Sequence, residues 1–350
     1  MVASGGTAPR RVGADLSAWE DVAVRLGTLR GLDACASAKG TFSVLALDHR
    51  NNLRRALAPE DPGSVSYERL VGIKRSIVRA IAPVADGILL DPDLGAGPVI
   101  YDGSLPAGCG LMIAVEETGY EGPSTERTSR LIPGWGVSQV KRIGGDAVKL
   151  LLYYHPDAPN AEEQERLLID VAEWCADADI PLFLETLGYS LDPEVKALTD
   201  DARRDVVVRT ARRLTALGGD VLKCEFPYDA GVTDRTRWGE ACAELDEATA
   251  IPWVILSAGV DDATFEAQTE VACAAGASGV LVGRSVWKEG AHMEGAERDR
   301  WLETVGVERM QRIADIVEAK ATPWRERSSL LEEPEPTQGW YTDYPGHPGD

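Results

Sequence analysis

Histidine is scarce in this chain, with four among 350 residues. No HxH or HExxH spacing occurs, so a histidine-rich metal centre is not expected. The six cysteines, Cys35, Cys109, Cys175, Cys224, Cys242 and Cys273, form no CxxC pair. Zinc clips and a disulfide framework are therefore not expected, and free thiols in a cytoplasmic enzyme are the default reading. Basic residues are outnumbered, 36 Lys and Arg against 57 Asp and Glu, for a net charge of −21. Such a surface does not suit nucleic acid or an anionic membrane. It leaves room for an anionic small molecule held by a local cluster of Lys and Arg. No apolar run approaches the roughly 18 residues of a membrane span. The segment Met1–Gly13 lacks the apolar stretch of a secretory signal, and no GxGxxG follows the first apolar run.

What is present is a regular alternation. Eight short runs rich in Val, Ile and Leu occur at Phe42–Asp48, Asp86–Asp91, Gly110–Glu116, Asp146–Tyr154, Ile180–Leu187, Asp220–Pro227, Pro252–Gly259 and Gly279–Trp287. Most do not alternate apolar with polar, which suits strands buried on both faces. Between them lie amphipathic stretches. Ser64–Ile81 places Leu70, Ile73, Ile77 and Ile81 at helical spacing, and Glu162–Ala178 and Asp201–Leu217 behave alike. Asp261–Ala275 opens with two aspartates, which suit a helix N-terminus. Eight strand–helix units predict a single-domain α/β (β/α)8 TIM barrel, with a doubly wound sheet as the open alternative. The expected organisation is a flexible segment over 1–16, the barrel over 17–325 and an acidic, proline-bearing tail over 326–350. Pro334, Pro336, Pro345 and Pro348 mark that tail. Its aromatics Trp340, Tyr341 and Tyr344 allow a docking role.

A barrel of this kind builds its site from the C-terminal ends of its strands. Those ends carry Asp48-His49-Arg50, Asp91-Pro92-Asp93, Glu116-Glu117, Lys149, Glu185, Lys223 with Glu225, Ser257-Ala258-Gly259 and Gly283-Arg284. Charge at seven of eight strands is not how an apolar core is filled. Lys223 stands out most. Burial and a second nearby cation favour its neutral amine, which can attack a carbonyl and form a Schiff base. Glu225, two residues on, shares its face, while Glu185 and Lys149 lie on the next two strands. A buried structural ion-pair cluster is the plainer account of the same residues. Ser257-Ala258-Gly259 and Gly283-Arg284 fall after strands seven and eight, where barrels bind phosphate on backbone N–H groups and a helix N-terminus. Arg284 adds a charge-assisted donor. His49 binds substrate or packs. Asp48 pairs with Arg50 or binds substrate hydroxyls. Asp48, His49 and Asp91 are the one set a metal would need, without a supporting motif.

The blocks Ala46-Leu47-Asp48-His49-Arg50, Ile88-Leu89-Leu90-Asp91-Pro92, Asp146-Ala147-Val148-Lys149-Leu150-Leu151, Phe183-Leu184-Glu185, Asp220-Val221-Leu222-Lys223-Cys224-Glu225, Leu256-Ser257-Ala258-Gly259-Val260 and Gly283-Arg284-Ser285-Val286-Trp287 occur in this order. Together they resemble the class I tagatose-1,6-bisphosphate aldolase family and its relatives, which include sulfofructose-1-phosphate aldolases. The resemblance runs from about Thr41 to Trp324. It implies an aldehyde-lyase that cleaves a ketose 1-phosphate to dihydroxyacetone phosphate and an aldehyde, with no metal and no cofactor. It implies that Lys223 forms the Schiff base, that Glu185 moves protons and that Lys149 lies in the site. Ser257 and Arg284, with Leu256, Gly259 and Gly283 beside them, are implied as the phosphate site. Asp48, His49 and Arg50 are implied near the substrate. The family usually has Gln where this chain has His49, which bears on the substrate's distal group. A homo-oligomer, dimer or tetramer, is expected, with Trp174, Trp238, Trp301 and Trp324 either at its contacts or in the helix–barrel layer. Two other readings remain open: a non-catalytic sugar-phosphate sensor and a metal-dependent barrel lyase.

Overall fold

The computed structural model describes residues 25–332, 335–342 and 344. The segment expected over 1–16 lies outside them, as does part of the tail. Eight parallel strands close into a barrel in sequence order: β1 Phe42–Leu47, β2 Gly87–Leu90, β3 Gly110–Ala114, β4 Ala147–Tyr153, β5 Leu182–Leu187, β6 Val221–Glu225, β7 Trp253–Leu256 and β8 Gly279–Val282. β1 pairs with both β2 and β8, which completes the ring. Helices cover its outer face, including Tyr67–Ile81, Ala161–Asp177, Asp200–Leu214 and Asp262–Ala274.

The period of two along each strand sorts side chains into two cores. Outward residues such as Leu45, Leu47, Ile88, Leu90, Leu150 and Leu222 pack under the helices. Inward residues Phe42, Val44, Leu89, Met112, Ala147, Phe183, Val221, Val254 and Leu281 fill the barrel. Phe42 and Phe183 meet edge to face with ring centroids 5.5 Å apart. Three aspartates fix the N-terminal rim. Asp86, Asp146 and Asp220 accept from the N–H groups of Ser43, Leu111 and Leu182 on the preceding strands, at 2.8–2.9 Å.

Trp324 belongs to neither place expected of it. It is fully buried against the inward residues at the N-terminal end of the barrel. The adjoining segment is tied there by Trp324 N–H to Gly40 O at 2.8 Å and by Arg327 to Asp246 at 2.7 Å. Tyr344 continues this contact, its hydroxyl donating to Asp179 and accepting from Gly27 N–H at 3.3 Å. Trp238 is buried, whereas Trp174 is 44% exposed. The eighth apolar run is also corrected. The strand stops at Val282, and Arg284–His292 is a helix whose buried face holds Val286 and Trp287. No helix among the described residues is long and apolar enough to cross a membrane.

Candidate active site

The same inward period, continued past the apolar layer, brings polar side chains to the C-terminal mouth. Asp48 follows Phe42, Val44 and Ala46. Glu116 follows Met112 and Ala114. Lys149 follows Ala147, Glu185 follows Phe183, and Lys223 follows Val221. They line one cavity of about 370 Å³, together with His49, Arg50, Tyr153, Glu225, Leu256, Ser257, Gly283 and Arg284. The sequence-predicted residues thus converge, save that Gly259 and Asp91 do not line the cavity.

Lys149 is the hub. Its Nζ lies 2.8 Å from Asp48 Oδ2, from Glu116 Oε1 and from Glu185 Oε2. Glu185 Oε2 is also 2.8 Å from Lys223 Nζ. Register explains the second contact, because Glu185 and Lys223 are partners on β5 and β6. Burial opposes charge on Lys149, but Asp48, Glu116 and Glu185 override it and hold the ammonium well above its ordinary value. Burial would likewise raise both Asp48 and Glu185. Lys149 and Lys223 prevail and keep the two carboxylates ionised, below their usual range. The result is a compact cluster of two lysines and three carboxylates, buried except at the cavity.

Glu116, which the sequence marks as the charged end of the third strand without assigning it a role, is a full member of the cluster. Its Oε2 accepts from Leu151 N–H at 3.1 Å, and its backbone carbonyl accepts from Arg50 at 2.6 Å. Arg50 therefore turns towards Glu116, and the local Asp48–Arg50 pair does not form. Glu225 keeps to the cavity wall but is engaged elsewhere, with Arg203 at 3.1 Å and Gly188 N–H at 2.8 Å. Asp91 is not in the mouth; it is paired with Lys74 behind β1. The Asp48, His49 and Asp91 set is thus split, and no group of three His, Cys, Asp or Glu among the described residues is arranged for a metal.

His49 packs edge to face on Trp287, centroids 5.1 Å apart. Burial, with Arg284, Lys74 and Lys223 adding to it against Asp48, lowers its imidazole to about 3. His49 is therefore neutral at pH 7. On the β7–β8 side, the Gly283 N–H faces Ser257 Oγ at 3.4 Å, where the helix Arg284–His292 begins. Gly259 has φ +83, and a Cβ there would stand 2.9 Å from Arg284 Cζ. Glycine thus leaves room for the guanidinium. Arg284 has no carboxylate within ion-pair distance among the described residues, so its charge is available to a ligand.

Residues 42–289 match the DeoC/LacD family of aldolases. The chain is 31% identical over 325 residues to a tagatose 1,6-diphosphate aldolase of Streptococcus agalactiae serotype V, covering 85% of this chain and 97% of that one. It is 32% identical over 323 residues to tagatose 1,6-diphosphate aldolase 2 of S. agalactiae serotype III, with the same coverage. In fold it is similar to a Schiff-base-forming fructose-1,6-bisphosphate aldolase, with TM-score 0.56 and 18% identity over 84% of this chain and 99% of that one.

Proposed function

This chain belongs to the DeoC/LacD family of aldolases, and we propose that it is a class I enzyme cleaving a ketose 1-phosphate, tagatose 1,6-bisphosphate first among the candidates. The observation that carries this reading is the position of Glu185 Oε2, 2.8 Å from the amines of both Lys223 and Lys149 at the cavity floor. A nucleophile, a proton acceptor and a fixed cation then share one site.

In this reading the Lys223 amine adds to the C2 carbonyl of the ketose, and loss of water leaves a protonated imine. Glu185 takes the proton of the C4 hydroxyl as the C3–C4 bond breaks. The bonding pair moves into the iminium to give an enamine, and C4 departs as the aldehyde. Protonation at C3 and hydrolysis release dihydroxyacetone phosphate and restore Lys223. Lys149, held charged by three carboxylates, donates hydrogen bonds to substrate oxygens and keeps Glu185 oriented. Ser257, the Gly283 N–H and Arg284 take the C1 phosphate. Helix N-termini favour such anions.

The distal end of the substrate is read from the segment after β1, Arg50 and the short helix Asn51–Leu57. Arg50 and Arg55 line the cavity there with Asn52. They favour an aldehyde fragment that carries an anion. Phosphate is preferred because the similar curated proteins are named for tagatose 1,6-diphosphate. A sulfonate, as in sulfofructose 1-phosphate, is the competing substrate.

The test is borohydride trapping with dihydroxyacetone phosphate in EDTA, followed by peptide mass spectrometry. A stable adduct on Lys223 is expected. Ligand binding without an adduct would favour a sensor, and absence of binding would remove the phosphate site as well. Coupled assays with tagatose 1,6-bisphosphate, fructose 1,6-bisphosphate and sulfofructose 1-phosphate then rank the substrates.

A further inference from the structure

One buried ion pair lies outside the site just described. Lys74 sits on the inner face of the helix Tyr67–Ile81, between Leu70, Ile73 and Ile77, with no exposed side-chain surface. Its Nζ donates to Asp91, itself unexposed, and to the carbonyl of Leu47 at 2.7 Å. The other Asp91 oxygen accepts from Leu94 N–H at 2.7 Å and so caps the turn after β2. Leu47 is the last residue of β1, and Asp48 and His49 follow it directly.

Stability alone is a weak reason for a lysine here. A buried ion pair is often no better than apolar side chains of similar volume, and the helix face around Lys74 is apolar. What the pair does supply is direction, because a leucine cannot hold a carbonyl. The end of β1 needs holding. Its register with β8 stops at Leu45 opposite Val282, so the last two β1 residues lack a partner strand on that side. Trp287 Nε1 takes the Ala46 carbonyl at 3.1 Å, and Lys74 takes that of Leu47.

We infer that Lys74 and Asp91 are positioning residues for the reaction, acting through β1 to set Asp48 against Lys149. This rests on the aldolase reading of the Asp48–Lys149–Glu185 cluster. Asp48 directly follows the β1 terminus, and its Oδ2 lies 2.8 Å from Lys149 Nζ. Lys74 ties that terminus to a helix, and Asp91 ties the same amine to β2 and its capped turn.

The experiment compares Lys74→Met/Asp91→Asn, Asp48→Asn and their combination in the full chain. The paired variant removes both buried charges, and its Asn can still accept from Leu94 N–H. The expected result is a folded protein that still traps dihydroxyacetone phosphate on Lys223, with kcat lowered roughly ten- to hundredfold and KM changed less. Combined with Asp48→Asn, it should lose no more than Asp48→Asn alone, since both act through one contact. A paired variant with wild-type kcat, losses that multiply, or an Asp48→Asn variant with unchanged kcat would each overturn the inference. Should the paired variant not fold, Asp91→Asn alone is crossed with Asp48→Asn and judged by the same outcomes. Failure of the wild type to trap would instead overturn the Schiff-base reading. Normal trapping by the wild type, with kcat unchanged in the paired variant, overturns only the positioning role.

Discussion

Glu185 and Lys223 are register partners on adjacent strands, and the carboxylate oxygen of one lies 2.8 Å from the amine of the other. That oxygen is equally close to Lys149. An amine must lose a proton before it can attack, and Glu185 is the acceptor within reach. In the proposed reaction Lys149 holds the cluster's positive charge while Lys223 forms the imine. There the two lysines have separate tasks: Lys223, with Glu185 as its one carboxylate contact among the described residues, reacts, while Lys149 is held by Asp48, Glu116 and Glu185.

Lys223→Met follows directly. It removes the nucleophile and keeps an unbranched side chain of similar length in a buried slot. Cleavage should fall by at least roughly a thousandfold, the borohydride adduct should vanish, and the circular dichroism spectrum should persist. Substantial turnover in a folded variant would sink the nucleophile assignment.

Glu185→Gln separates imine formation from bond cleavage. The amide keeps the shape but cannot accept the C4 proton. A drop in kcat of about 10²–10⁴-fold is expected, with trapping on Lys223 still seen in overnight incubations. If steady-state turnover is unaltered, another group must move the proton.

Most of this site was legible because charge in an apolar strand is costly and hence conspicuous. Lys149, Glu185 and Lys223 each interrupt a run of Val, Leu and Ile, and the strand period alone places them inward. What was not legible depended on partners remote in sequence. Arg50 reads as a neighbour of Asp48, yet it crosses to Glu116, 66 positions away. The overrun of the eighth strand has a local cause. Val286 and Trp287 are as apolar as a strand, and only the break at Gly283 separates β8 from the buried face of the next helix. Trp324 looked like any helix-layer aromatic, but it fills the barrel's N-terminal end, a contact that requires the closed ring. Lys74 was visible in principle, as one cation three residues before Ile77 and four after Leu70 on an apolar face.

Arg284→Ala tests the phosphate end. The guanidinium is half-buried and lacks a carboxylate partner among the described residues. Burial, only partly offset by Asp48, lowers its pKa. A phosphate is the natural counter-ion. Loss of a hydrogen bond to a charged group costs about 1.5–3 kcal/mol, which corresponds to roughly ten- to hundredfold in KM for the ketose phosphate. Inhibition by inorganic phosphate should weaken in parallel. A changed kcat with an unchanged KM and unchanged phosphate inhibition would place the phosphate elsewhere.

His49 offers a prediction in pH. Folding depresses its imidazole from 6.5 to about 3, chiefly by burial. As pH falls below 6.5 the unfolded chain takes up a proton that the folded protein refuses until about 3. The contribution of His49 to stability is therefore complete above pH 6.5 and is lost progressively as pH falls towards 3. His49→Gln introduces the residue usual at this place in the resembling family and removes the titration. Its melting temperature should fall less steeply than that of the wild type between pH 6.5 and 4, and the two curves should run parallel above pH 7. In the wild type, kcat should show no inflection from this imidazole between pH 5 and 8, since it stays neutral throughout. Acid limbs of equal slope in the two proteins would mean that His49 is protonated in the folded state after all, with Asp48 only 3.8 Å from its Nδ1 as the group that made it so.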